Sequence, residues 1–223
     1  MGRKIALWLI WVGFVGYVLW LAPLDQPDTL PLVLKLVTFQ WGDLNAILVA
    51  IFCLMGVWPM IYACLMFVDS RMQQVRAWPS FLASNGTGII GLFPYLILRE
   101  SNQEFYGAKN VWLKLLDSRN TGVALLLSTV GLLAYAWLAG DWGDFVQQWQ
   151  TRHFVNAITW DFCLMPLGFP SLLGDDMARR GLKNSRVFWV VALVPLFGPL
   201  FYLCLRPPLR ETTIKGTAVP QSI

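Results

Sequence analysis

The chain has 223 residues, of which 57% are hydrophobic and only 13% are charged, and its mean hydropathy is +0.55. A soluble domain usually carries about a quarter charged residues, so this composition excludes an ordinary soluble protein and favours lipid as the solvent. The net charge of +4 does not indicate nucleic-acid binding. The basic residues lie in short loops and at segment ends, with no basic patch interleaved with aromatic residues, and at such places they contact lipid headgroups.

Six apolar segments approach the length of about 20 residues that a membrane span needs. The first follows Arg3 and Lys4 and has no small-residue cleavage site after it, so it is expected to stay as an uncleaved span. Two amphipathic stretches, 30–37 and 111–116, are typical of short helices that lie in the interface. The polar tail, 207–223, is expected to be disordered. The six segments are residues 5–22, 46–68, 79–98, 122–139, 154–173 and 187–205.

The two halves of the chain resemble each other at a constant offset, the one that separates Asp69 from Asp176. At this repeat offset, residues 91–99 and 198–206 share the pattern G-x-x-x-Y-L-x-L-R. The sequence therefore predicts an all-α integral membrane protein whose six transmembrane helices form two three-helix repeats, residues 1–105 and 106–206. The residues that carry the repeat are Asp69, Gly91, Tyr95 and Arg99 in the first half, and Asp176, Gly198, Tyr202 and Arg206 in the second.

The topology has two alternatives at this stage. Three spans per repeat require the second repeat to be inverted relative to the first. Six spans place eight of the 17 Lys and Arg on the N-terminal side, which leaves no charge bias. If the weak third segment is re-entrant instead, five spans remain and twelve basic residues lie on that side, in agreement with the positive-inside rule.

The repeat unit resembles a family of short, three-span bacterial membrane proteins known only as a domain of unknown function, through Asp69 with 91–100 and Asp176 with 198–206. The whole chain is similar to uncharacterised membrane proteins of cyanobacteria and plastids. The stretches that carry this similarity are Q-P-D-T, L-L-D-S-R, F-V-Q-Q-W and G-D-D-M-A-R-R, at 26–29, 115–119, 145–149 and 174–180. The resemblance implies a cyanobacterial thylakoid or plasma membrane and supplies no catalytic residue.

Asp161 is the one acid inside an apolar segment. A carboxylate at such depth is costly unless it is paired or hydrated, so Asp161 is a candidate proton or cation site. The alternative is an interfacial carboxylate that is hydrogen-bonded to Thr159, Asn156 or a tyrosine. Asn85 and Thr87 lie in the Gly-rich third segment, where a broken helix can line a substrate site, although small residues at this spacing also serve helix packing.

Other candidate groups favour contacts with lipid over catalysis. The four cysteines form no C-x-x-C pair, which argues against a metal site, and no catalytic constellation is found, so an enzyme is not expected. A single pigment at His153 is the one cofactor hypothesis. The basic residues expected to contact lipid headgroups are Arg179, Arg180, Lys183 and Arg186.

Two functions are consistent with these features. The first is a non-catalytic assembly or accessory factor that binds subunits of a photosynthetic or respiratory membrane complex. The alternative is a small-solute or ion transporter that uses Asp161 and the broken third segment. For both functions the bilayer is the immediate partner, and the sequence is compatible with a homo-oligomer.

Overall fold

The computed structural model describes residues 2–24 and 27–209, which form twelve α-helices and one 3-10 turn, Ser70–Met72, and contain no strand. Long apolar runs explain the helical content, because a helix satisfies all of its backbone hydrogen bonds internally. The helices are α1 Gly2–Trp20, α2 Thr29–Val37, α3 Ala46–Asp69, α4 Ala77–Thr87, α5 Ile89–Leu98, α6 Val111–Asp117, α7 Arg119–Ala139, α8 Trp142–Thr151, α9 His153–Gly168, α10 Pro170–Arg179, α11 Ser185–Leu193 and α12 Phe197–Leu205.

Within the described residues, four helical stretches are long and apolar enough to cross a membrane: Gly2–Trp20, Ala46–Met72, Arg119–Ala139 and His153–Arg179. The last stretch joins α9 and α10. The α-helical membrane class predicted from composition is therefore found, but six spans are not. The third and sixth segments each divide into two helices of 9 to 11 residues, and at 1.5 Å per residue these are too short for a bilayer core of about 30 Å.

Helices α4 and α5 fold back on each other and form the first hairpin. The chain reverses at Gly88, whose φ of +54° favours glycine. The two arms touch at Gly91, where a Cβ atom would come within 2.7 Å of the Cβ atom of Ala83. At the open end, Gln73 Nε2 donates to Glu100 O at 2.7 Å, and Glu100 N donates to Gln73 Oε1 at 2.8 Å. The third segment thus begins and ends at the same end of the molecule.

Helices α11 and α12 form the second hairpin in the same way. Gly198 packs against the backbone of Val191, where a Cβ atom would clash. The reversal lies at Leu196, which has a φ of +63°. At the open end, Arg180 Nη1 donates to Pro207 O at 2.5 Å, and these two residues are the counterparts of Gln73 and Glu100 at the repeat offset. The alternative topology, in which the third segment alone is re-entrant, therefore misses the second fold-back.

Helix α3 lies at the centre and contacts helices from both halves, including α4, α7, α9, α10 and α12. Most of α3 is buried, whereas α1 and α7 expose most of their apolar side chains, as expected for helices that face lipid. The two short helices expected at 30–37 and 111–116 are present as α2 and α6. Helix α8 was not predicted, because it is too short and too polar for a span. Its start is nevertheless marked in the sequence by Asp141, which caps the first turn by accepting a hydrogen bond from Asp144 N.

The first residues of the C-terminal segment are ordered, contrary to prediction. Leu209 is buried, and its backbone N donates to Asp117 Oδ2 at 3.1 Å. Disorder is therefore the wrong expectation for 207–209, because Leu209 packs with Val68 of α3, Phe105 and Leu113 of α6. The remaining residues of the predicted tail, 210–223, lie outside the described residues.

The two ends of the molecule differ in charge. We call the end that carries most of the Lys and Arg residues the charged end. There, the start of α1 lies against the first hairpin, since Arg3 Nη2 donates to Arg99 O at 3.2 Å. At the opposite end, Arg152 pairs with Asp28 at 2.9 Å, and Asn45 donates to Asp144 at 2.7 Å. Thirteen of the fifteen described Lys and Arg lie on elements or loops at the charged end, and the two exceptions are Lys35 and Arg152.

Candidate functional site

The first set of repeat-motif residues forms a buried ion-pair cluster. Asp69 ends α3, and its carboxylate receives two hydrogen bonds from the Arg99 guanidinium, Nε to Oδ2 and Nη2 to Oδ1, each at 2.7 Å. The hydroxyl group of Tyr95 donates to Asp69 Oδ2 at 2.7 Å. Tyr95 lies in α5 and Arg99 directly follows that helix, four residues later, and both side chains reach the end of α3. This bidentate geometry is the strong form of an arginine–carboxylate pair.

The second set makes equivalent contacts at the repeat offset. The hydroxyl group of Tyr202 donates to Asp176 Oδ2 at 2.7 Å, and Arg206 Nη1 donates to the same oxygen at 3.3 Å. Arg180 adds two hydrogen bonds to Asp176, from Nε at 2.8 Å and from Nη2 at 3.2 Å. Asp176 is completely buried, and its charge is matched by two guanidinium groups.

Each arginine of the motif also crosses to the other half of the chain. Arg99 Nη1 donates to the carbonyl oxygen of Ser171 at 2.7 Å, and Arg206 Nη1 donates to that of Cys64 at 3.2 Å. Ser171 is the counterpart of Cys64 at the repeat offset, so the two crossings are reciprocal. The carbonyl groups at these positions belong to α10 and α3.

The two clusters lie side by side. Arg179, which lies between Asp176 and Arg180 of the second cluster, pairs with Asp69, and Arg99 pairs with Asp175. An inverted repeat would put Asp69 and Asp176 at opposite ends of the molecule. The inverted arrangement that followed from six spans is therefore wrong. The third and sixth segments do not cross to the opposite end but turn back to the charged end.

Asp117, at the end of α6, was not singled out from the sequence. Its carboxylate lies 2.7 Å from Arg180 Nη1 and 2.9 Å from Lys109 Nζ. Burial by itself would raise the pKa of Asp117, but Arg180, Lys109 and Arg206 together lower it below the ordinary value of 3.8. The pKa of Arg180 is raised despite its burial, because Asp176 and Asp117 stabilise its charge.

The structure corrects half of the predicted lipid contacts. The side chains of Arg179 and Arg180 are fully buried in ion pairs with Asp69 and Asp176, so they do not reach lipid headgroups. Lys183 and Arg186 are exposed at the charged end, as a headgroup contact requires. The sequence did not distinguish the four, because burial of an arginine depends on where its acidic partner lies in the fold.

A second candidate site lies at the tip of the first hairpin. Asp161, Asn85 and Thr87, which are the three residues proposed from the sequence, line one cavity of about 420 Å³. Asp161 reaches it from α9, and Oδ1 of its carboxylate accepts a hydrogen bond from Ile89 N at 2.9 Å. The carboxylate occupies the space that a Cβ atom of Gly88 would need. The apolar walls come from α1, α3 and α9, and include Phe14, Val18, Phe52, Phe154 and Ile158.

The carboxylate of Asp161 has no basic partner among the described residues that line this cavity. Two of its expected partners are engaged elsewhere, since Thr159 donates to Val155 O at 2.6 Å and Tyr17 donates to Asn156 Oδ1 at 2.7 Å. Its described hydrogen bond comes from a peptide N–H instead. The alternative of an interfacial carboxylate held by those residues is therefore wrong.

The polar residues of the hairpin tip are anchored to their own helix. Asn85 Nδ2 donates to Phe81 O at 2.7 Å, and Thr87 Oγ1 donates to Ala83 O at 2.9 Å. These bonds use the hydroxyl proton of Thr87 and one of the two N–H groups of Asn85, and the oxygen lone pairs of both side chains remain available as acceptors toward the cavity. With Asp161, the tip is chemically suited to a proton donor or a cation.

His153, the proposed pigment ligand, lies at the start of α9 at the opposite end of the molecule. Its Nδ1 atom is 2.9 Å from Pro23 O, which connects α9 to the chain after α1. The geometry thus gives His153 one interhelical contact, and pigment binding there stays a prediction.

No protein-family model, curated protein or solved structure matches this chain. The resemblance to bacterial and plastid membrane proteins, and the membrane complex that it implies, accordingly stay predictions.

Proposed function

We propose that this chain is a small-solute or ion transport protein and that the cavity beside Asp161 is its binding site. The observation that carries the proposal is that Asp161, Asn85 and Thr87 line the same cavity. Asp161 comes from the other half of the chain, 72 residues from Ile89, the residue to which it is hydrogen-bonded. The volume of about 420 Å³ is in the range of small-ligand sites.

The depth of Asp161 supports a proton or a cation as the transported or coupled species. Asp161 lies eight residues after His153, which is roughly 12 Å along the helix. An ionised carboxylate within the hydrocarbon region costs several kcal/mol unless a counter-charge or water compensates it. With no basic side chain on the described lining, a bound proton or a small cation supplies that compensation.

The topology that accompanies this proposal is two units in the same orientation, each with two spans and a re-entrant hairpin. It is supported by the contacts that recur at the repeat offset, Asp69 with Arg99 and Asp176 with Arg206. The excess of Lys and Arg at the charged end makes that end cytoplasmic under the positive-inside rule. Re-entrant backbone is tolerated in a bilayer where it lines a cavity, as the tip of the first hairpin does.

The test is flux through proteoliposomes that contain the purified chain. An imposed membrane potential drives H⁺, Na⁺ or K⁺, and internal fluorescent indicators report each ion. We expect flux of at least one ion with the wild type and background flux with Asp161→Asn. The amide oxygen of the substituted side chain can still accept from Ile89 N, so the variant keeps the hairpin contact and loses only the charge.

Asp43→Asn is the matched control, because Asp43 is exposed and pairs with Lys35 away from the cavity. It should keep wild-type flux. If Asp161→Asn transports as fast as the wild type, Asp161 is not the site. If the folded wild type moves none of the three ions, the transport proposal itself fails for inorganic cations.

The assembly or accessory role stays a second prediction, together with the thylakoid location. The observation on its side is the number of exposed tryptophans, which suit either lipid or a protein partner. Purification of the tagged chain from native membranes in a mild detergent tests it, since an accessory factor should recover subunits of its complex stoichiometrically. The exposed tryptophans are Trp8, Trp20, Trp78, Trp112, Trp137, Trp142, Trp160 and Trp189.

A further inference from the structure

An apolar groove lies on the outer surface of the protein, between α3, α4 and α6. It has a volume of about 400 Å³, and every side chain that lines it among the described residues is apolar. Two of its residues on α6, Trp112 and Leu115, are more than half exposed, so the groove is open to the surroundings of the protein. It shares no lining residue with the Asp161 cavity. The other walls of the groove include Met60, Ala63 and Phe67 of α3 and Phe81 of α4.

The groove runs along α3 from near the charged end to the middle of the helix. Helix α3 has 24 residues and is roughly 36 Å long, so it crosses a hydrocarbon core of about 30 Å with one end near each edge. Phe67 lies two residues before Asp69, the last residue of α3, and Met60 lies roughly 14 Å from Asp69. The groove thus covers the depth of an acyl chain in one leaflet, from the headgroup edge to the middle of the core, about 15 Å.

Arg71 stands at the outer end of this groove. The three lining residues of α3 are three and four residues apart, so they form one stripe of the helix. Arg71 lies four residues after Phe67 and continues this stripe, because the helical stretch runs on to Met72. Arg71 Nη1 donates to Ala108 O at 3.0 Å, which ties the end of α3 to the loop that leads into α6. The arginine therefore lies between two walls of the groove.

The positive charge at this place has no acidic partner among the described residues. Arg76, which directly precedes α4 and lies five residues before Phe81, adds a second exposed guanidinium group. Residues 70–98 contain both arginines and no Asp or Glu. The next acid along the chain, Glu100, directs its carboxylate to Lys4 at 2.7 Å. An anionic group at the outer end of the groove would therefore meet two guanidinium groups, which bind phosphate well.

The repeat does not explain this arrangement. At the repeat offset, Phe67 and Arg71 correspond to Gly174 and Ala178, so the second half has neither the aromatic wall nor the arginine at these positions. Phe188, the counterpart of Phe81, lies so close that a Cβ atom of Gly174 would be 3.7 Å from its ring. The combination of an apolar groove and two arginines is thus specific to the first half.

We propose that this groove binds an anionic phospholipid, with one acyl chain along residues 60–67 of α3 and the headgroup phosphate against Arg71 and Arg76. The apolar walls accept the chain and exclude the charged headgroup. The arginines favour a headgroup with a net negative charge over a zwitterionic one. Binding at this site does not involve Asp161, so it is independent of transport.

The experiment uses the full chain, freed of lipid in detergent micelles, and measures lipid adducts by native mass spectrometry. Phosphatidylglycerol and phosphatidylcholine with identical acyl chains are titrated separately. We expect the first molecule of phosphatidylglycerol to bind at least fivefold more tightly than phosphatidylcholine. We expect Arg71→Gln to weaken phosphatidylglycerol binding about fivefold, and the double variant with Arg76→Gln to remove the preference.

Lys35→Gln is the matched control, because it removes one exposed positive charge at the opposite end of the molecule. It should keep the wild-type preference. A second measurement locates the chain: phosphatidylglycerol with a photoactivatable diazirine in the middle of one acyl chain should label the peptides that contain Met60 or Trp112.

Three outcomes would each overturn the proposal: equal affinities for the two lipids, an equal loss in Lys35→Gln and Arg71→Gln, or labelling confined to α1 and α7. The same spectra report oligomers. A dimer that forms without lipid and excludes it would assign the groove to a second copy of this chain instead.

Discussion

Two kinds of buried carboxylate occur in this protein. They differ in the groups that contact them, and this difference indicates different roles. Asp69 and Asp176 face arginine and tyrosine donors on all sides, so their charges are compensated within the protein. Asp161 meets one peptide N–H and a cavity. A buried ion pair that lacks one partner is strongly destabilised, which makes the first two structural, whereas the third has room for a ligand.

Asp117 gives a pH-dependent prediction at the same scale. Because the pKa of Asp117 is lowered in the folded state, its contribution to stability is fully present above its ordinary pKa of 3.8 and is lost as pH falls through the lowered value. We expect Asp117→Asn to destabilise the protein by about 3–5 kcal/mol at pH 7, because Arg180 then loses one of its two carboxylates. The difference from the wild type should shrink below pH 4.

Denaturant unfolding in micelles at pH 7 and at pH 3.5 measures both values. Asp43→Asn is the control, since Asp43 is exposed and its loss should change stability little at either pH. A difference between wild type and Asp117→Asn that stays constant across this range would contradict the assigned ion pairs.

At the scale of elements, close contact between short helices decides the architecture. Helices α4 and α5 lie close enough that a Cβ atom at Gly91 would come within 2.7 Å of the backbone N of Ser84. Gly198 has the same role between α11 and α12. Small residues allow helices to pack this closely in membranes, where apolar side chains gain nothing by leaving lipid.

A pair of Gly→Ala substitutions tests this packing. We expect Gly91→Ala to destabilise the protein by about 1–3 kcal/mol, because the added methyl group forces the hairpin arms apart. Gly131→Ala on α7 has open space around it and should be neutral or stabilising by up to ~1 kcal/mol, since alanine is the better helix former. Thermal unfolding of both variants in one detergent measures the contrast, and equal effects would show that the arms are not in close contact.

At the scale of the whole molecule, the reciprocal contacts join the two halves at one end. Arg99 bonds the carbonyl group of Ser171 and Arg206 bonds that of Cys64, so neither cluster is complete without the other half. The opposite end is held by lighter polar contacts such as Asn45 with Asp144. We expect any relative motion of the two halves to be smallest at the charged end.

The topology can be tested with single cysteines. In a variant without the four native cysteines, Lys35→Cys and Lys183→Cys should react on opposite sides of the membrane, because Lys35 belongs to the opposite end and Lys183 to the charged end. A membrane-impermeant maleimide added to intact cells should label the first and spare the second until the cells are opened. Six spans would place both positions outside, so labelling of both in intact cells would support the six-span topology instead.

Several features followed from the sequence because they depend on composition or on local pattern. The low content of charged residues predicted a membrane protein. The repeat offset singled out Asp69, Tyr95 and Arg99 with Asp176, Tyr202 and Arg206, and within each half these residues do contact one another. Asp161 was a candidate because an acid inside an apolar run is rare. Each of these inferences needs only the identity and spacing of residues.

The tertiary structure decided the path of the third and sixth segments and the fate of the arginines. An apolar stretch long enough to span reads the same whether it crosses the bilayer once or folds back halfway, because hydropathy carries no direction. The reversal at Gly88 is held by Asp161 from the other half of the chain, and Arg179 is buried because Asp69 reaches it from the first half. Such long-range contacts are absent from any local window, so only the folded chain reveals which charges are paired and which one faces a cavity.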